Sequence, residues 1–135
     1  MTGAVTVVDL SGGKRTDLPN GSFVCELVSG PLSGATSTTL GFSTWKAGTL
    51  SRQLVHETDE LAYIVSGEGK LSVGAELIPF RAGQALLIPA GVPHGLVNDS
   101  DADMSMVYVF SHPAYPPTRE ATAEELGGRY SAGDA

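Results

Sequence analysis

The chain has 135 residues, 41% hydrophobic and 17% charged, which suits one domain with a real core and leaves no room for two. Fifteen acidic residues against eight basic ones give a formal net charge of −7, which argues against nucleic acid and anionic membrane surfaces as partners. The chain has one cysteine, Cys25, so an internal disulfide is impossible. It has no leader-like start and no apolar run of about 18 residues, so a cytoplasmic protein without membrane contacts is expected.

Short strands separated by turn residues are predicted along most of the chain. The first is residues 5–9, followed by a polar turn at 11–15 and by strong turn chemistry at 18–21. Further strands are predicted at residues 23–28, 36–45, 51–56, 61–65, 70–73, 76–80, 84–88, 94–98 and 104–110. Strands at this spacing, with Gly and Pro at the breaks, are typical of a sandwich or barrel, so the predicted class is all-β.

The last part of the chain has a different composition. From residue 113 it is rich in proline, which predicts an extended conformation. About one and a half helical turns are predicted at 121–126. We therefore predict a barrel domain at residues 1–112 and an extended, partly flexible C-terminal tail at 113–135.

Three titratable side chains are expected to converge if these strands pair. Alternation places Arg52, Leu54 and His56 on one face of their strand. Glu60 leads into the next strand, and His94 opens a later strand after a proline-rich turn. Two imidazoles and a carboxylate suit a divalent metal such as Fe, Mn, Ni, Co or Zn. A metal-free acid–base pair and a purely structural triad are the alternatives.

The residues around this triad are expected to form the ligand site. Arg52 near the barrel mouth would bind a carboxylate or phosphate through its guanidinium, or else pair with an acidic neighbour at the rim. Leu54 would face the same cavity as His56. Met104, Met106, Tyr108 and Phe110 share one strand face, and core packing is favoured for them over a pocket wall.

Two spaced patterns in the sequence resemble the motifs of the cupin superfamily. The second motif is matched at every position by Gly83-x5-Pro89-x-Gly91-x2-His94-x3-Asn98. The first motif is matched by Gly48, His56, Glu60 and Gly67. Leu54 stands where the superfamily has its first histidine. With the strand count, the resemblance extends over roughly residues 5–110.

The resemblance implies a cupin-type jelly-roll β-barrel, with a short N-terminal strand and an open mouth leading to a ligand cavity. It also implies that His56, Glu60 and His94 are three of the family's four metal ligands and are the catalytic residues. Substrate contacts are predicted for Arg52 and Leu54. Because cupins often pair through outer sheet edges and terminal arms, a homodimer that binds a small molecule is expected.

Several activities are compatible with such a site, since one fold carries many functions. The leading hypothesis is an enzyme of specialised metabolism, a non-redox isomerase, lyase or cyclase acting on an oxygenated or carboxylated metabolite. In it a metal polarises a carbonyl or enolate oxygen, or an acid–base pair acts without metal. A non-haem iron dioxygenase and a non-catalytic small-molecule-binding cupin are the alternatives.

Overall fold

The computed structural model describes residues 5–34 and 36–127 of the chain. Its strands are β1 (Lys14–Asp17), β2 (Phe23–Val28), β3 (Thr39–Trp45), β4 (Leu54–His56), β5 (Glu60–Ser66), β6 (Glu68–Val73), β7 (Glu76–Arg81), β8 (Ala85–Ile88), β9 (Gly95–Val97), β10 (Met104–Phe110) and β11 (Thr118–Glu120). A short helix, α1 (Gly30–Ser33), and a 3-10 turn at Leu10–Gly12 complete the regular elements of this part. Neither they nor any other described segment forms a helix long and apolar enough to cross a membrane.

The strands form two layers, and each strand pair is antiparallel. One layer is a six-stranded sheet in the order β1-β2-β3-β10-β5-β8. The other contains β7-β6-β9 and β11-β4, which are joined where Leu54 and His94 exchange backbone hydrogen bonds of 2.8 and 3.0 Å. Between the layers lies a core of Ala62, Ile64, Leu71, Phe80, Ile88, Met104 and Met106. The predicted all-β jelly-roll architecture is therefore confirmed.

The N-terminal strand lies elsewhere than predicted. Residues 5–9 form no strand, and Val5 and Val7 are 89% and 87% exposed because no neighbouring strand covers them. The first strand is instead β1, within a stretch predicted to be partly turn. It forms because the turn at residues 18–21, closed by the Gly21 N–H donating to the Leu18 carbonyl at 3.2 Å, pairs β1 with β2. Cross-strand pairing outweighs the β-propensity of the valines.

The segment predicted as a tail supplies β11, which pairs with β4. Behind this pair, Val55 packs with Ala121 and Leu126 in a second small apolar cluster. The predicted helical turns reduce to one turn, in which the Leu126 N–H donates to the Thr122 carbonyl at 3.0 Å. A frayed end is predicted at residues 127–135, of which residues 128–135 lie outside the described residues.

The outer face of the six-stranded sheet is apolar where β5 meets β8. Leu61 and Leu87 are cross-strand partners and are 47% and 64% exposed. Tyr63 and Val65 continue the same face of β5 and are 51% and 50% exposed. A contiguous apolar surface of this kind is typical of a protein–protein contact.

Candidate metal and substrate site

A cavity of about 430 Å³ lies between the two layers and is lined by residues from strands of both, among them β1, β2, β4 and β10. Its wall is largely apolar and aromatic, with Trp45, Met106, Tyr108, Phe110 and Tyr115 among the lining residues. Exposed residues of β1, Lys14 and Thr16, also line it. The space suits a medium-sized, mostly apolar small molecule.

Three elements bring His56, Glu60 and His94 together on the cavity wall. His56 ends β4, Glu60 begins β5, and His94 precedes β9. One donor atom from each lies within 4.8 Å of the other two. Oε1 of Glu60 is 3.1 Å from Nε2 of His94 and 3.4 Å from Nε2 of His56. Each histidine is only 5% exposed. The structure therefore brings together the three residues predicted as metal ligands.

Hydrogen bonds on the far side of each imidazole fix its tautomer. Nδ1 of His94 lies 2.9 Å from the Val92 carbonyl oxygen, which only accepts, so Nδ1 carries the proton. Nδ1 of His56 lies 2.7 Å from Oγ1 of Thr118. That hydroxyl donates to the Pro116 carbonyl at 2.8 Å, so it accepts from His56. In their neutral forms both histidines therefore direct an Nε2 lone pair at Glu60.

The charges within the triad are coupled. Burial raises the pKa of Glu60, but hydrogen bonds from His56 and His94 and their charge outweigh it, and the pKa lies below its ordinary value. Burial lowers the pKa of His94, yet the hydrogen bond and charge of Glu60 raise it above its ordinary value. In the absence of a metal the site thus favours a carboxylate beside an imidazolium.

The donor set fits a divalent transition metal. Two imidazole nitrogens with their other N–H groups bonded outward, and one carboxylate oxygen, are the donor types and outer contacts that such ions use in proteins. The two imidazole lone pairs and the carboxylate oxygen lie close together and would repel one another. The site therefore needs either a proton or a cation between these atoms. His56, Glu60 and His94 could therefore hold a metal ion.

The two predicted substrate residues, Leu54 and Arg52, lie in different parts of the cavity wall. Leu54 is half-buried and lines the cavity, and its backbone pairing with His94 sets its side chain on the face that carries the triad. Arg52 also lines the cavity at its rim. Its side chain is 68% exposed, and Nη1 lies 3.3 Å from Oε2 of Glu120. The guanidinium therefore pairs with an acidic neighbour at the mouth.

Sequence reasoning missed two residues beside the triad, and both lie in the predicted tail. Thr118 contacts His56 as described, and the Tyr115 ring packs on His56 and Phe110 at centroid distances of 5.6 and 5.5 Å. No local signal marks Thr118. The aromatic ring of Tyr115 among prolines, three residues after His112, was the available signal for a structured segment.

Comparison with known proteins gives the following similarities. Residues 41–110, more than half of the chain, match the family model described as the cupin domain. The uncharacterised protein SCO3923 of Streptomyces coelicolor is 35% identical over 74 residues, which are 55% of this chain and 70% of that protein. The polyketide synthase CurC of Streptomyces cyaneus is 31% identical over 86 residues, 63% of this chain but only 56% of CurC.

Among solved structures, the polyketide cyclase RemF from Streptomyces resistomycificus superposes with a TM-score of 0.76. The two sequences are 20% identical, and the match covers 91% of this chain and 90% of RemF. At this identity the likeness shows a shared fold.

Proposed function

This chain belongs to the cupin domain family, and on that premise we propose that it cyclises a polyketide-like metabolite that carries several carbonyl groups. The observation that carries the proposal is the convergence of two imidazole lone pairs and a carboxylate on the wall of an aromatic-lined cavity. Support comes from the similarity to CurC, named a polyketide synthase, and to RemF, named a polyketide cyclase.

Cyclisation of such a chain needs proton movement but no external oxidant. A proton leaves the carbon between two carbonyl groups, that carbon joins the carbon of a third carbonyl, and the resulting oxygen takes a proton. Oε1 of Glu60 is held by both histidines, while Oε2 has no hydrogen-bond partner among the described residues. Oε2 therefore accepts the proton from carbon and returns it to the alkoxide oxygen formed from the third carbonyl, which becomes a hydroxyl.

The other residues of the site hold the substrate and the base in place. A divalent ion held by Nε2 of His56, Nε2 of His94 and Oε1 of Glu60 would supply a Lewis acid for a carbonyl or enolate oxygen. Leu54 and the aromatic residues keep water away from the reacting carbons. The outward hydrogen bonds of the two histidines fix the ring orientations.

The test uses a linear 3,5,7-trioxo thioester of N-acetylcysteamine, with products separated by liquid chromatography and mass spectrometry. We expect the wild-type protein to accelerate formation of one cyclic product, and Glu60→Gln to lose about 10²- to 10⁴-fold in rate, as expected for loss of a general base. The matched controls are Glu57→Gln, an exposed glutamate in the turn that precedes Glu60, and His112→Ala, the histidine outside the cavity. Both should keep the wild-type rate.

Three outcomes would contradict the proposal. The first is a product mixture identical to that formed without protein, and the second is full activity in Glu60→Gln. The third is oxygen uptake coupled to turnover, which would instead indicate an iron dioxygenase. Tight binding of the thioester without turnover would favour a non-catalytic binding protein.

A further inference from the structure

Tyr108 is a cavity-lining residue whose hydroxyl has no hydrogen-bond partner among the described residues. Its side chain lines the cavity and is 9% exposed, and no residue within 5–34 or 36–127 forms a hydrogen bond with its Oη. A tyrosine in an apolar wall usually pairs its hydroxyl with a polar group, because its ring is apolar and its O–H is a donor. A ligand in the cavity is therefore the partner available to this hydroxyl.

The neighbouring strands are built to admit this ring. In the sheet register Tyr108 lies opposite Gly41 on one side and Ala62 on the other, the two smallest side chains available. A Cβ atom added to Gly41 would overlap Cζ and Oη of Tyr108. The ring therefore lies directly over the Gly41 backbone, in a position that only glycine permits.

The hydroxyl is available as a donor throughout the working pH range. Burial raises the pKa of Tyr108 far above its ordinary value, and the negative charge of Glu26 raises it further. The phenol stays neutral, so it carries a proton to donate.

The hydroxyl serves a different part of the cavity from the triad. Oη of Tyr108 lies over Gly41 of β3, whereas Glu60 is on β5, the strand on the other side of β10. The Phe110 ring contacts both residues' surroundings, with its centroid 5.5 Å from that of Tyr108 and 4.9 Å from that of His56. A ligand that reaches both ends therefore presents two separate oxygen functions across an apolar, ring-lined space.

We infer that Tyr108 donates a hydrogen bond to a ketone oxygen of the substrate, distinct from the oxygen nearest the triad, and so selects ligands that carry a ketone at this position. The inference deepens the proposed function. It rests on that function for one point, that the other oxygen of the substrate lies at the triad. The contact of Tyr108 with a ketone can be measured without turnover.

The experiment measures the dissociation constants of 1-tetralone and of tetralin, the same bicyclic skeleton without the oxygen, by isothermal titration calorimetry. The indole N–H signal of Trp45, the one tryptophan in the chain, reports in NMR spectra whether each ligand enters the cavity. For each protein the readout is the affinity for the ketone divided by the affinity for the hydrocarbon. We expect Tyr108→Phe to lower this ratio by about 3- to 10-fold, the usual worth of one hydrogen bond.

Two further variants make the result specific. Tyr63→Phe removes the same hydroxyl from the outer sheet face and should leave the ratio unchanged. Gly41→Ala keeps the Tyr108 hydroxyl but displaces its ring, and should lower the ratio as Tyr108→Phe does, provided circular dichroism shows a folded protein.

An unchanged ratio in Tyr108→Phe, an equal loss of affinity for both ligands, or no binding of 1-tetralone to the wild type would each overturn the inference. A lowered ratio in a protein that fails to cyclise the thioester would leave Tyr108 as a ketone-binding residue and refute the cyclase proposal alone. If the wild type cyclises the thioester but Tyr108→Phe leaves the ratio unchanged, the cyclase proposal stands and the inference about Tyr108 is refuted.

Discussion

Replacing Thr118 with valine removes one hydroxyl from the outer contacts of the triad while preserving side-chain shape and β-propensity in β11. His56 is 5% exposed and its Nδ1 lies 2.7 Å from Oγ1 of Thr118. Without this acceptor the buried N–H loses its partner, at a cost of about 1–3 kcal/mol. The imidazole can avoid the cost by moving its proton to Nε2, where Oε1 of Glu60 lies 3.4 Å away.

That tautomer change removes the lone pair through which His56 would bind a metal ion. We therefore expect the affinity for Zn(II) or Ni(II) to fall by about 10- to 100-fold, as is typical when an outer contact of a metal site is lost. This corresponds to about 1.4–2.7 kcal/mol, in agreement with the cost of the unsatisfied N–H. The two routes to the magnitude are independent.

The assay is competition between protein and a chelator of known affinity, with the tautomer of His56 read from ¹⁵N chemical shifts. Thr118→Ser retains the hydroxyl and serves as the matched control, with wild-type affinity and the Nδ1–H tautomer. The reasoning is refuted if the valine and serine variants bind metal equally well, or if His56 remains protonated at Nδ1 in the valine variant while affinity falls.

Three further outcomes are expected. Leu54→His should tighten Ni(II) binding by about tenfold or more by adding a nitrogen donor beside the triad, and unchanged affinity in a titration would mean that position 54 does not face it. Hydrogen bonds from Arg119 lower the pKa of Glu125 to about 2, so their stabilisation is present above the unfolded pKa and is lost as the pH falls towards 2. Glu125→Gln should therefore lower the Tm at pH 7, with the difference from wild type vanishing near pH 2 in thermal melts. If a homodimer forms through the apolar outer face around Leu61, Leu87→Lys should convert it to a monomer in light scattering, and an unchanged mass would place the contact elsewhere.

The positions of most strands could be predicted because alternation and turn residues agreed. β2 and β10 have the predicted limits, since each combines a period-two pattern with clear breaks on both sides. Residues 5–9 have the pattern but no partner strand, whereas β1 has a weak pattern but a hairpin partner. A single sequence shows the β-propensity of a segment directly. It shows which strand the segment pairs with only where a recognisable turn joins the two.

Within the site, spacing predicted the triad but not what surrounds it. Thr118 lies 62 residues beyond His56, and the pairing of β11 with β4 that joins them leaves no local pattern. Alternation placed Tyr108 on the inner face of β10, where it could equally be a core residue. Its position on the cavity wall depends on the space over Gly41, which belongs to another strand. Such properties arise from the register between distant segments.

The pairing of β4 on both of its edges has a consequence for how the site forms during folding. His56 and Glu60 are close in the chain, but β4 gains one partner only when His94 is available and the other only with β11. The three donors therefore come together only when the barrel closes, and the outer contact of His56 forms only when β11 pairs with β4. Any ion held by this triad would bind the folded barrel and not the unfolded chain, so its binding would stabilise the fold.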